Sequence, residues 1–132
     1  MSYEHLKLSE LTGKVIACAM EVHREMGNGF QEKIYQKALE TEFTMRSIQH
    51  IREFHIPVYY KGLLMGNRYV DFLVEQILSV ELKAVMELQP AHFAQAINYL
   101  EAYNIEIGML INFGAPSLQF HRLTNKKFRP NK

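Results

Sequence analysis

Apolar residues recur at helical spacing from about Ser9 to Met26, where Val15, Ile16, Ala19, Val22, His23 and Met26 share a stripe and predict an amphipathic helix. The glycines of GNG (27–29) break that period, Gly27 being suited to a left-handed C-terminal cap, and a second helix is expected from about Gln31 to Arg46. From Arg52 the period changes to two: Phe54, Ile56, Val58 and Tyr60 alternate with polar or edge-tolerant residues, and Pro57 marks an edge or a bulge. The two-glycine stretch KGLLMGN (61–67) reads as the close of a hairpin into Arg68–Val74, after which Glu75-Gln76 turns the chain into a strand over Ile77–Ala84. These segments predict a three-stranded antiparallel meander. Pro90 then opens a third helix with Phe93, Ala96, Ile97 and Leu100 along one stripe. The unbroken apolar run IGMLI (107–111) predicts a strand buried on both faces and paired in parallel after a crossover helix. LQFHRL (118–123) supplies a last strand, so the fold class is α/β with a mixed sheet and the order α-α-β-β-β-α-β-β.

Three charges interrupt the pattern: Asp71 in one inner strand, and Glu81 and Lys83 in the next. Side chains alternate faces along a strand, so Glu81 and Lys83 point one way while Val80, Leu82 and Ala84 take the core-facing side. A two-residue turn at Glu75-Gln76 would pair Asp71 with Val80. For Asp71 and Glu81 to converge, the loop near 74–77 must have an odd number of residues or carry a bulge. Two carboxylates meeting on one face repel, and the repulsion raises their coupled pKa values unless a cation sits between them. Mg²⁺ or Mn²⁺ suits such a pair, because a hard ion takes one or two carboxylates and keeps positions for water and phosphate. Lys83 could then steady the attacking water or the charge growing on a phosphorus-centred transition state. That is the chemistry of metal-dependent phosphodiester hydrolysis; the plainer reading of the same three residues is an exposed sheet face bearing a Glu–Lys pair.

Flanking residues add to the choice. GFQEKIY (29–35) opens the second helix with Gly29, Glu32 and Tyr35; an acid in a first helical turn is stabilised by the helix dipole, and Glu32 and Tyr35 lie three apart on one helical face. On the third helix, Gln95 and Tyr99 form a polar stripe with His92, able to hydrogen-bond a phosphate, a base or Lys83. Arg68 reads as a surface residue, a carboxylate partner or a phosphate contact, and His23 as a core histidine or a partner of Glu32.

At 132 residues the chain is one domain's worth, read as a single domain over 1–132 with a basic tail at about 125–132. Net charge is +1, so attraction to a polyanion needs a local patch, for which the tail NKKFRPNK is a candidate unless it is only a solvated end. The single cysteine, Cys18, removes disulfides and cysteine metal sites from consideration. No apolar run is long enough to cross a membrane and the N-terminus shows no signal-peptide h-region, so the expected location is the cytoplasm, with no membrane partner.

The run from VHREMGNGFQEKIYQKALETEF through YKG, RYVDFLVEQILSVELKAV, HFAQAINYL and GMLINFG resembles the GxxExxY protein family, a bacterial branch of the PD-(D/E)xK nuclease-like superfamily, over roughly residues 9–125. The resemblance implies a restriction-endonuclease-like core. It implies Asp71 and Glu81 as metal ligands with the Leu82 backbone carbonyl, Lys83 as the catalytic lysine, and Glu32 as a helical acid completing the metal shell. Gln95 and Tyr99 resemble the glutamine–tyrosine helix motif of RecB-like nucleases, and with Tyr35 and Arg68 they are the expected substrate-binding or positioning residues. Val70 stands where the superfamily's name has proline, a position that neither binds metal nor carries a proton. The resulting expectation is a nuclease using Mg²⁺ or Mn²⁺ on nucleic acid, DNA in preference to RNA, with a homodimer compatible with so small a chain. The rival expectation is a catalytically silent nuclease-fold module that binds nucleic acid or a protein partner.

Overall fold

The computed structural model describes residues 3–130. Helices α1 (Tyr3–Met26) and α2 (Glu32–Met45) lead into strands β1 (His50–Tyr60), β2 (Leu63–Val74) and β3 (Leu78–Lys83). Helix α3 (Pro90–Ala102) and strands β4 (Ile107–Asn112) and β5 (Gln119–Thr124) complete the expected order. The five strands form one sheet in the order β1-β2-β3-β4-β5. Every neighbouring pair is antiparallel except β3 and β4, which run parallel.

Helices cover both faces of this sheet, which is why its inner strands are so apolar. On one face Phe72, Val80, Leu82 and Met109 pack against Leu39 and Phe43 of α2 and Val15 and Val22 of α1. On the other, Leu73, Leu110 and Leu123 pack against Ala96 and Leu100 of α3. A strand sandwiched this way loses its polar face, so β4 is buried at every position, as its unbroken apolar run requires. Helix α3 approaches β4 closely: a Cβ on Gly108 would lie 2.8 Å from a Leu100 methyl carbon. Pro90 occupies the first turn of α3, where the backbone N–H of Gln89 donates to His92 Nδ1 (2.9 Å) in a capping box. His92 is thereby committed to the cap and leaves the polar stripe of Gln95 and Tyr99.

Three boundaries differ from expectation. The helix expected from Ser9 extends back to Tyr3. Strand β2 begins at Leu63, not Arg68, because Lys61 (φ 51°) and Gly62 (φ 80°) make the whole turn in a left-handed conformation. Leu63–Asn67 therefore continues the hairpin, with Gly66 opposite Val58 beside a shift of register between Val58 and Tyr59. The basic tail is not a loose end as far as Pro130: Asn125 Nδ2 donates to the carbonyls of Leu100 and Ile105, while Asn104 and Arg129 exchange hydrogen bonds. The last two residues of the tail lie outside the described residues.

The β2–β3 connection has the parity the site requires. Val74 pairs with Leu78, leaving Glu75, Gln76 and Ile77 as a three-residue loop in which Glu75 (φ 52°) and Gln76 (φ 64°) are left-handed.

Candidate functional site

The β2–β3 ladder consists of Phe72–Val80, Leu73–Ser79 and Val74–Leu78, and it stops there. Beyond it, side chains bridge the strands. The Leu82 N–H donates to Asp71 Oδ2 (2.8 Å), and the Asp71 N–H donates to Glu81 Oε1 (3.2 Å). The pleat also breaks at this point: Val70 packs with Ile56 and Tyr99 on the α3 side, whereas Phe72, two residues on, meets Phe43 of α2. In a regular strand those two side chains would share a face. On β1, Glu53 lies between the partners of Val70 and Phe72 and has φ 53°, so both strands of the hairpin are distorted beside Asp71. The distortion frees the Asp71 carboxylate to span the gap to β3.

Burial and like charge set the electrostatics. Glu81 is only 5% exposed, and its carboxyl is pushed up to about 9, first by burial and then by Asp71 beside it; the Asp71 backbone N–H and Lys83 pull the other way. Glu32 is exposed by surface area, yet enough protein surrounds it that desolvation, followed by the charge of Asp71, raises its carboxyl, with Lys83 and Lys33 opposing. Tyr99 is buried, and its hydroxyl is raised by desolvation and then by Glu81, with Arg68 opposing. Lys83 is half-buried and its Nζ donates to Gln95 Oε1 (3.0 Å), so the strand lysine and the helix glutamine meet.

Hydrogen bonds thus join Asp71 to Glu81 and Lys83 to Gln95, the charge of Lys83 reaches Glu81, and Glu32, Tyr99 and Arg68 are near enough to be felt. Among the described residues, no three His, Cys, Asp or Glu side chains are grouped so as to hold a metal ion, so Glu32 stands apart from the carboxylate pair. Tyr35 does not reach the cluster. It is fully buried, stacked on Phe113 with ring centroids 4.7 Å apart, and its hydroxyl donates to the Gly27 carbonyl while accepting from the Phe30 N–H (3.1 Å). It fastens the loop that leads into Glu32. His23 also turns elsewhere, its Nε2 lying 3.0 Å from the carbonyl of Ala115.

Gln36 is the member that sequence reasoning missed. It is 3% exposed and its Nε2 donates to Asp71 Oδ1 (2.8 Å). It stands one turn after Glu32 on the same helical face, the i, i+4 relation that could have found it. Its Oε1 is the one buried side-chain polar atom among the described residues with no partner. Two oxygen-donor carboxyl groups, one of them raised first by burial and then by the other beside it, and a spare amide oxygen next to them fit a hard divalent cation such as Mg²⁺ or Mn²⁺.

One step away lies a second polar cluster of different character. Asn112, in register with Lys83, is fully buried. Its Oδ1 accepts from the N–H groups of Val85 and Gly114 (3.0 Å each), and its Nδ2 donates to the Val85 carbonyl (2.8 Å) and to Gln119 Oε1 (2.9 Å). Gly114 permits this clamp, because a Cβ there would sit 2.4 Å from the Val85 nitrogen.

Comparison with known proteins gives the following. A family model described as the PD-(D/E)XK nuclease superfamily matches residues 9–123. No curated protein matches the chain. The crystal structure of SSO0001 superposes with a TM-score of 0.58 at 15% identity, covering 70% of this chain and 49% of that one. The likeness to SSO0001 is one of fold, and the chain spans about half that protein's length.

Proposed function

We propose, starting from the fact that the chain belongs to the PD-(D/E)XK nuclease superfamily, that it is a divalent-metal-dependent phosphodiesterase acting on nucleic acid at Asp71, Glu81 and Lys83. The observation that carries this reading is the bridged meeting of Asp71 and Glu81 where β2 parts from β3, with Lys83 held by Gln95 at its edge.

Asp71 and Glu81 would hold Mg²⁺ or Mn²⁺ with the Leu82 carbonyl, and Glu32 would complete the shell from the start of α2. A bound divalent ion supplies charge neutralisation for the phosphodiester and a water of lowered pKa. The chain's own groups do the rest. Gln36 and the Leu82 N–H orient Asp71. Lys83, oriented by Gln95, orients the attacking water and offsets charge growing on the phosphate oxygens. Tyr99 and Arg68 take the role of positioning the substrate backbone, DNA being the preferred substrate. Within the superfamily, the GxxExxY branch is supported by Gly29, Glu32 and Tyr35: the Tyr35 hydroxyl ties down the loop before α2 and so fixes where Glu32 begins.

Calorimetric titration with Mn²⁺ should show saturable binding to the wild type that Asp71→Ala abolishes. Single-stranded DNA, duplex DNA and RNA should then be offered with Mn²⁺, the Lys83→Ala variant serving as control. Absence of Mn²⁺ binding, or binding unchanged in Asp71→Ala, would sink the metal site. Binding without cleavage of any substrate would leave the silent-module reading in its place.

A further inference from the structure

The β1–β2 hairpin runs well past the rest of the sheet. β1 and β2 stay paired out to Tyr60 and Leu63, whereas β2 pairs with β3 only from Phe72 to Val74. From Asp71 to the turn the arm therefore reaches about 26 Å, at roughly 3.3 Å per residue. Beyond its base this arm has large apolar and aromatic side chains in the open: Tyr59, Tyr60 and Tyr69 are 62%, 60% and 58% exposed. Ordinary solvated hairpins place charge or small polar residues at such positions, so rings standing in water ask for an occupant.

Strand alternation sorts them. Ile56 and Val70 turn inward to Tyr99 of α3, which sends His55, Pro57 and Tyr59 to the other face. The register sets Tyr69 across from His55, their ring centroids 5.3 Å apart, and Asn67 across from Pro57, with Asn67 Oδ1 bonded to His55 Nε2. One face of the arm is thus a stripe of flat rings, Tyr69, His55 and Tyr59, beginning two residues from Asp71. Charge selects what covers it. From Phe54 to Val70 the sequence contains no acid and two bases, Lys61 in the turn and Arg68 across from Ile56 on the Tyr99 side, whereas the whole chain sums to only +1 and the rest of it therefore to −1.

We propose that the β1–β2 arm is a stacking platform for single-stranded nucleic acid, with bases lying on Tyr69, His55 and Tyr59 and the phosphates drawn by Lys61 at the arm's turn and by the arm's net positive charge, so that the strand is led toward Asp71. This rests on the phosphodiesterase reading for its direction, and narrows that reading to single strands or unpaired ends. Aromatic faces serve unpaired bases because every base has a π-face to offer, while a duplex keeps its bases stacked on each other and presents only phosphate. A second copy of the chain is less favoured by the same charge, because stripe-on-stripe packing would lay two net positive arms together.

Binding is measured in EDTA, where cleavage is silent, by fluorescence anisotropy of a labelled twelve-nucleotide thymidine strand and of a duplex of equal length. The wild type should prefer the single strand. Tyr59→Ala/Tyr69→Ala should weaken single-strand binding by about tenfold or more, with melting temperature unchanged since both rings are exposed. Tyr59→Phe/Tyr69→Phe should restore it. Equal affinity for duplex, no single-strand binding, or an alanine pair that binds as well as wild type overturns the platform. So does a wild-type dimer in sedimentation that the alanine pair converts to monomer, which would make the stripe a subunit interface. Because these readings need no metal, they fail or succeed independently of the Mn²⁺ titration.

Discussion

Two polar clusters sit side by side near the ends of β3 and β4, and they are built on opposite principles. Around Asn112 every donor and acceptor is met by a neutral partner, the arrangement that makes a buried amide stabilising. Around Asp71 and Glu81 two acids share one small volume, burial and the neighbouring Asp71 push Glu81 up to about 9, and Gln36 Oε1 goes unpartnered. The first cluster ties the β3 exit to the β4 exit. The second weakens the fold, and such a liability is what a functional site looks like in a chain otherwise so consistently packed.

Substitutions on either side should therefore separate activity from stability. The largest effect is expected from Lys83→Ala, which should lower kcat by about 10²–10⁴-fold while the melting temperature stays within a few degrees, read by single-turnover cleavage and thermal denaturation of one preparation. Asn112→Ala should do the reverse. It strands the Val85 and Gly114 backbone groups in the interior and should cost about 3 kcal/mol in urea denaturation, with Mn²⁺ affinity unaffected wherever the protein remains folded. Next comes Gln95→Ala, which leaves Lys83 without its carboxamide partner. It should slow turnover about tenfold with little change in KM, and a rise in KM alone would instead assign Gln95 to substrate binding.

The smallest effect on stability, and the most diagnostic sign, is expected of Glu81→Gln. The folded-state pKa of Glu81 lies above its ordinary 4.5, at about 9. The folded protein thus retains a proton that the unfolded chain releases between those values, and stability present below pH 4.5 is lost as pH rises toward 9. Glutamine cannot ionise. In EDTA the variant should therefore be more stable than wild type at pH 8 by on the order of 1 kcal/mol, and its melting temperature should vary less between pH 5 and 9. A variant less stable than wild type at pH 8 would place Glu81 with Asn112, among the groups that hold the fold.

The sequence made some of this contrast visible and hid the rest. β4 could be read because a strand covered on both faces has no polar alternation to obscure it, and the parity of the β2–β3 loop could be deduced because Asp71 and Glu81 converge in only one register. The outer half of the hairpin was lost, since Gly66 looks like punctuation unless its partner Val58 and the adjacent bulge are known. Tyr35 and Gln36 exchange the roles that spacing suggests. Tyr35, three residues from Glu32, turns into the core with Leu39 and Phe43, while Gln36, four residues away, reaches Asp71. Which of two adjacent residues on a helix meets the site depends on the rotation of the helix about its axis, and tertiary packing alone decides that.

Asn125 gives the molecule a long lever. By binding the carbonyls of Leu100 and Ile105 it fastens the far end of α3, the helix whose middle carries Gln95 and Tyr99. A protease nick or a deletion just before Asn125 would remove no proposed ligand, yet it would let that helix fray from behind, and amide hydrogen exchange along Ala96–Tyr103 would quicken. The stitching of a basic tail and the aim of a lysine at the opposite end are, mechanically, one property.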